Sequence, residues 1–135
     1  PSRSGLAHEL DFSPADRAGH LRRLAYISKL LNDPGIITIC SFISPDENIR
    51  KQVVQIIGED RFKLIHMDAS LEFCKQNKPE LYEKFDQGLI ENLPGADLQY
   101  VEPKDPTLIL KPENRATNTK TILEYLADHK IFPIV

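Results

Sequence analysis

The chain has 135 residues, 41% hydrophobic and 27% charged, a balance that suits one globular core and excludes a disordered or membrane-embedded polypeptide. A formal charge of −3 argues against broad electrostatic binding to nucleic acid or an anionic membrane, but leaves room for a local basic pocket. No stretch approaches the roughly 20 apolar residues needed to span a bilayer, and no signal or transit peptide is legible, so a cytoplasmic protein is expected.

The first helix is predicted to open at Ser13-Pro14-Ala15-Asp16, where serine caps free N–H groups, proline fits the first position and aspartate complements the dipole. Leu21, Leu24, Ile27 and Leu31 give it one apolar face, and Asn32 to Gly35 ends it. Ile36 to Cys40 is short and β-branched, as an inner parallel strand would be. Ser44-Pro45-Asp46-Glu47 repeats the grammar of cap, proline and acids, predicting a second helix with Ile49, Val53 and Ile56 or Ile57 inward. Phe62 to Met67 reads as a strand, and Ser70 as the cap of a helix carrying Leu71, Phe73 and Cys74.

From Lys75 to Pro106 the pattern is least regular: Leu81, Tyr82 and Phe85 suggest a short helix, and Gly88, Pro94 and Gly95 a mobile, lid-like loop. Thr107 to Leu110 is a last strand, Thr117 can cap a final helix, and the apolar tail Phe132 to Val135 should pack on the body. Strands alternating with helices predict βαβ units and a parallel sheet within a single domain, residues 1–135. Cys40 and Cys74 are expected to be buried thiols rather than a disulfide.

In an open parallel sheet, ligands bind where strands hand over to helices. Two segments fit that place: Ser41-Phe42-Ile43-Ser44-Pro45, and Phe12-Ser13-Pro14 with Arg17 one turn on. Helix N-termini attract anions, a guanidinium adds charge, and Phe12 offers a face to a base. Capping alone explains either helix start, and Arg17, Arg22 and Arg23 read equally as a solvated helix face. The histidines His8, His20, His66 and His129 have no metal-ligand spacing with the cysteines, so no metal site is expected. Neither a Gly-x-Ser-x-Gly elbow nor a Walker loop, Gly-x-x-x-x-Gly-Lys-Ser/Thr, occurs at any position.

The words are more specific than their periodicity. Gly5-Leu6, then Leu10 to Arg17, then Leu21-Arg22-Arg23 resembles the GLN-x-DLGFSPEDR-x-ENIRR segment of adenylylsulfate kinases. Ser41 to Pro45 is similar to that family's SFISP turn, in order and at the right spacing. Leu71 to Cys74 resembles its PLEVCE helix, Leu81-Tyr82 its GLYKKAR segment, and Gly95 to Pro103 its GIDDPYEAP stretch. The resemblance runs from about Arg3 to the C-terminus.

It implies a three-layer, P-loop-kinase-like α/β fold, a parallel sheet flanked by helices, with the N-terminal P-loop unit missing from these residues. It implies phosphorylation of the ribose 3′-hydroxyl of adenylylsulfate by MgATP, giving 3′-phosphoadenylylsulfate, in sulfate assimilation. By motif match, Arg3, Phe12, Arg17 and His20 would belong to the adenylylsulfate site, Ile43 and Ser44 would line it, and Lys84 would be a lid lysine. A homodimer and a fused or associated ATP sulfurylase are the implied protein partners; nucleic acid and membrane are not.

The departures fall at functional positions. The Walker loop and DGD-type motif that precede GLN in the family are absent, so these residues alone should hold no MgATP and carry no catalytic group. Ala7 and His20 stand at family asparagines, and Asp46 follows SFISP where tyrosine is usual. Glu83 and Asp86 replace a lysine and an arginine, and Leu93-Pro94 replaces a Phe-Thr pair whose aromatic would stack on adenine. Two functions from different classes therefore stand open: an adenylylsulfate kinase whose other part lies elsewhere, and a catalytically dead kinase-like module that binds a sulfonucleotide or a partner domain. A different P-loop small-molecule kinase accords less well with the FSP and SFISP words.

Overall fold

The computed structural model of the chain describes residues 5–131. Its first helix, α1 (Pro14–Asn32), begins as the sequence dictates: Ser13 Oγ accepts from the Asp16 amide at 3.3 Å, and Pro14 takes the first turn. Asp16 answers by accepting from the Asp11 amide at 2.9 Å, so the chain entering the helix is held from both sides. Helix α2 (Glu47–Ile57) packs against α1, burying Leu21 and Ala25 of one and Ile49 of the other.

The cap of α2 is not Ser44. Asp46 accepts from the Ile49 amide at 2.9 Å, and Ser44 sits at φ +44° outside the helix. Three residues before Ile49, Asp46 presents its acceptor where the orphan N–H points; Ser44 is two residues too early.

Strands β1 (Ile65–Met67) and β2 (Leu108–Leu110) pair in parallel with Ile65 opposite Leu108. Thr107 fixes the register, its Oγ1 accepting from the Leu64 amide at 3.0 Å while its own amide donates to the Leu64 carbonyl at 2.7 Å. Between the strands lie α3 (Leu71–Asn77), capped by Ser70 as predicted, and α4 (Pro79–Asp86); α5 (Arg115–Asp128) follows β2. Thr117 falls inside α5 rather than capping it, because the helix already begins at Arg115.

The parallel, helix-flanked sheet expected from the sequence is present, but residues 36–40 join no ladder among the described residues. Ile36, Ile37 and Ile39 are 51%, 46% and 93% exposed, so a segment composed for a sheet interior lies bare. Cys40 is likewise exposed rather than buried, with Ser28 Oγ 3.5 Å from its sulfur; it and Cys74 are free thiols. The tail Phe132 to Val135 lies outside the described residues.

Candidate functional site

The starts of α1 and α2 converge on a cavity of about 270 Å³. Arg17 and Leu21 form one wall, Pro45, Asp46 and Ile49 a second, and Leu98, Gln99 and Val101 a third. The volume falls just under the ~300 Å³ lower end of small-molecule sites. Its walls are mostly apolar, with the Arg17 cation as the fixed positive group.

Arg17 is held on both sides. Its Nε donates to the Phe12 carbonyl at 2.9 Å, its Nη2 to the Asn92 carbonyl at 2.8 Å, and its guanidinium lies 5.2 Å from the Phe12 ring centre. The cation–π contact and two carbonyl acceptors fix the charge in place.

Asn92 belongs to the loop read as a mobile lid. The loop is built: the Asp97 carboxylate accepts from the amides of Asn92 and Leu93 at 2.8 and 2.6 Å, and Leu93 is buried. Its far end is tied at Val101, whose amide donates to the Pro45 carbonyl at 2.9 Å. Asp97 reaches back four and five residues to the Leu93 and Asn92 amides, a contact that no local turn pattern signals.

The remaining expected residues divide. Phe12 is exposed, with the Arg17 guanidinium over its ring. Ile43 is exposed and Ser44 half-buried on the turn that leads into Pro45, adjoining the cavity rather than lining it. His20 is 4% exposed and packs edge-on against Phe42, ring centres 5.7 Å apart, so it supports the SFISP turn from behind. Lys84 is exposed in the last turn of α4 and outside the cavity. Arg3 lies outside the described residues. Arg22 and Arg23 are structural: Arg22 donates to Gln52, and Arg23 pairs with Glu9 and the Leu6 carbonyl.

Sequence reasoning did not single out Phe42, Asn92 or Arg50. Phe42 was visible inside the SFISP word, and Glu47 three residues before Arg50 marks an ion pair on one helix face. Asn92 acts through its carbonyl, which no side-chain pattern reveals.

Among the described residues no group of three or more His, Cys, Asp or Glu side chains could hold a metal ion, and the sequence has no glycine-rich phosphate loop. Among them, too, no helix is long and apolar enough to cross a membrane.

The family model for adenylylsulphate kinase matches residues 2–111. The chain is 38% identical over 132 residues to the adenylyl-sulfate kinase of Staphylococcus carnosus, covering 96% of this chain and 66% of that protein. It is 40% identical over 110 residues to the bifunctional enzyme NodQ of Rhizobium tropici, covering 81% of this chain and 17% of that one. In structure it is similar to the Mycobacterium tuberculosis APS kinase CysC in complex with AMPPNP and APS, with a TM-score of 0.80 and 34% identity over 91% of this chain and 75% of that one. The chain thus spans just under two thirds of the length of the Staphylococcus carnosus protein. Its helix-flanked parallel fold, its two matched helix starts and these similarities have one reading: the chain belongs to the adenylylsulphate kinase family.

Proposed function

We propose that the whole protein is an adenylylsulfate kinase, transferring a phosphoryl group from MgATP to the 3′-hydroxyl of adenylylsulfate, and that this chain supplies the face that holds the sulfonucleotide. The observation that carries this is the Arg17 guanidinium, fixed between Phe12 and Asn92 in the wall of a cavity closed by Pro45 and Asp46. A fixed cation suits a sulfate or phosphate oxygen, and the exposed Phe12 ring suits adenine. Ile43 and Ser44 border the ligand, His20 holds Phe42 behind them, and the resemblance adds Arg3 and Lys84 as further binding residues.

These 135 residues offer no cradle for ATP phosphates, so no transfer step is assigned to them. The phosphate donor is held by the rest of the protein, in the cytoplasm. The protein partners proposed are a second copy and an ATP sulfurylase; similarity to a bifunctional enzyme supports the fused form of the latter.

A thermal-shift series tests the binding role. At about 100 times its Kd, adenylylsulfate or 3′-phosphoadenylylsulfate should stabilise the chain by about 2.7 kcal/mol, with AMP, which lacks the sulfate, giving less. Equal shifts with all three, or none, would contradict it.

The second reading, a regulatory module without chemistry, draws on Glu83 and Asp86, both exposed on α4 where the resemblance expects a lysine and an arginine. It predicts that 3′-phosphoadenylylsulfate outcompetes adenylylsulfate and that the whole protein turns over neither.

A further inference from the structure

Among the described residues, Arg50, on α2, carries a buried charge and is 5% exposed. Its Nη1 donates to the Ser44 carbonyl at 2.6 Å and its Nη2 to the Val101 carbonyl at 2.7 Å. Its Nε and Nη2 also donate to the Glu47 carboxylate, at 3.1 and 2.5 Å, which neutralises the charge. One planar group thus joins the turn carrying Ser44 to the loop carrying Val101.

Ser44 needs such a partner. At φ +44° a residue with a Cβ is in the left-handed region, where backbone and side chain crowd each other. The carbonyl of this strained residue is the one that Arg50 Nη1 bonds. The same guanidinium sets the distance between Pro45 and Val101, two walls of the cavity, and the amide of Val101 closes the junction on the Pro45 carbonyl.

We infer that Arg50 is a positioning residue for the nucleotide site: it holds Ser44 in its left-handed conformation and fixes the Pro45–Val101 wall, without touching ligand. This deepens the sulfonucleotide reading and rests on it for the ligand's identity, but the clamp itself is a property of the free chain. Lysine cannot replace it, because a point ammonium on a flexible stem cannot bond two carbonyls and a carboxylate in one plane.

The test compares wild type, R50K and R50K with Ser44→Gly, using the 135-residue chain. Backbone amide exchange should show the Val101 amide opening about tenfold faster in R50K, as expected when hydrogen bonds to a buried charge are lost. The Gly58 amide, bonded to Val54 at the other end of α2, should keep its rate. Calorimetric affinity for adenylylsulfate should fall by about tenfold, and Ser44→Gly, which adopts the left-handed conformation freely, should restore part of it.

Unchanged Val101 exchange would overturn the inference, as would equal acceleration at Val101 and Gly58, the mark of general destabilisation. So would undiminished affinity in R50K. A wild-type chain that binds no sulfonucleotide would sink the proposed function, while the exchange comparison would still decide the clamp. Should R50K fail to fold, wild type decides: separately resolved, slowly exchanging Arg50 guanidinium protons support the clamp, and one averaged signal overturns it.

Discussion

Arg17 satisfies three partners with one group: the Phe12 carbonyl, the Asn92 carbonyl and the Phe12 ring. Removing it takes away the cavity's fixed charge and the tie to the lid together. Arg17→Ala should weaken adenylylsulfate binding by about 10- to 100-fold, and Arg17→Lys by about tenfold, because the ammonium keeps charge but not the fork. Equal affinity of wild type and Arg17→Lys in a fluorescence competition titration would show that only the charge matters. Arg17 was legible because it stands in a long specific word, at the first turn of a capped helix. Arg50 was not, since a charged residue on an amphipathic helix reads as solvated until the neighbouring loop folds over it. His20 was legible as a position but not as an environment: its burial against Phe42 depends on the turn packing back onto α1.

At the scale of elements, the caps decide where helices begin. Asp46 replaces the tyrosine of the family word and does the work the sequence reading gave to Ser44. Asp46→Ala should cost about 1 kcal/mol, read as a lower denaturant midpoint, whereas Ser44→Ala, without a cap to lose, should cost well under that. The strand ends carry a second device. Lys111, just after β2, donates to Asp68, just after β1, at 2.5 Å. That hydrogen bond, then the lysine's charge, holds the Asp68 carboxyl below the usual aspartate range, and Asp68 in turn raises Lys111.

The sign follows from which form the fold favours. Asp68 binds its proton less readily when folded, so its contribution is full above the ordinary aspartate value and is lost as pH falls through the depressed one. Lys111 contributes below the ordinary lysine value and loses its share as pH rises through the raised one. Both side chains are exposed, so the effect is small and weakens with salt. The gap in urea midpoint between wild type and Asp68→Asn should be present near neutrality and close below about pH 4. A gap that persists into stronger acid would assign it to packing instead. The two strands were legible as short apolar runs, but not their register, which Thr107 sets through Leu64. The failure of residues 36–40 to pair was not legible either, because composition shows what a segment is fit for and not what stands beside it.

For the molecule as a whole, surface is the conspicuous quantity. The chain exposes 9624 Å². A compact monomer of 15.4 kDa would expose about 7,200 Å². Ile36, Ile37, Ile39, Phe42, Met67 and Ile109 are all at least 40% exposed, and among the described residues no large side chain is fully buried. So much bare apolar area favours association and a loosely held core. The 135-residue chain should bind a hydrophobic dye in its native state and unfold with low cooperativity. A sharp calorimetric transition without dye binding would contradict that. The overall class was legible because alternating patterns and motif order survive in any part of a sheet; the thinness of the core was not, since it depends on what each face meets.

The account turns on whether a sulfonucleotide is recognised between the two helix starts. Isothermal titration of adenylylsulfate into the wild-type chain and Arg17→Ala measures this most directly. Saturable heat with wild type, reduced by at least about tenfold in affinity in the variant, is the predicted result. Absence of heat with the wild type, or identical isotherms for both, would contradict it.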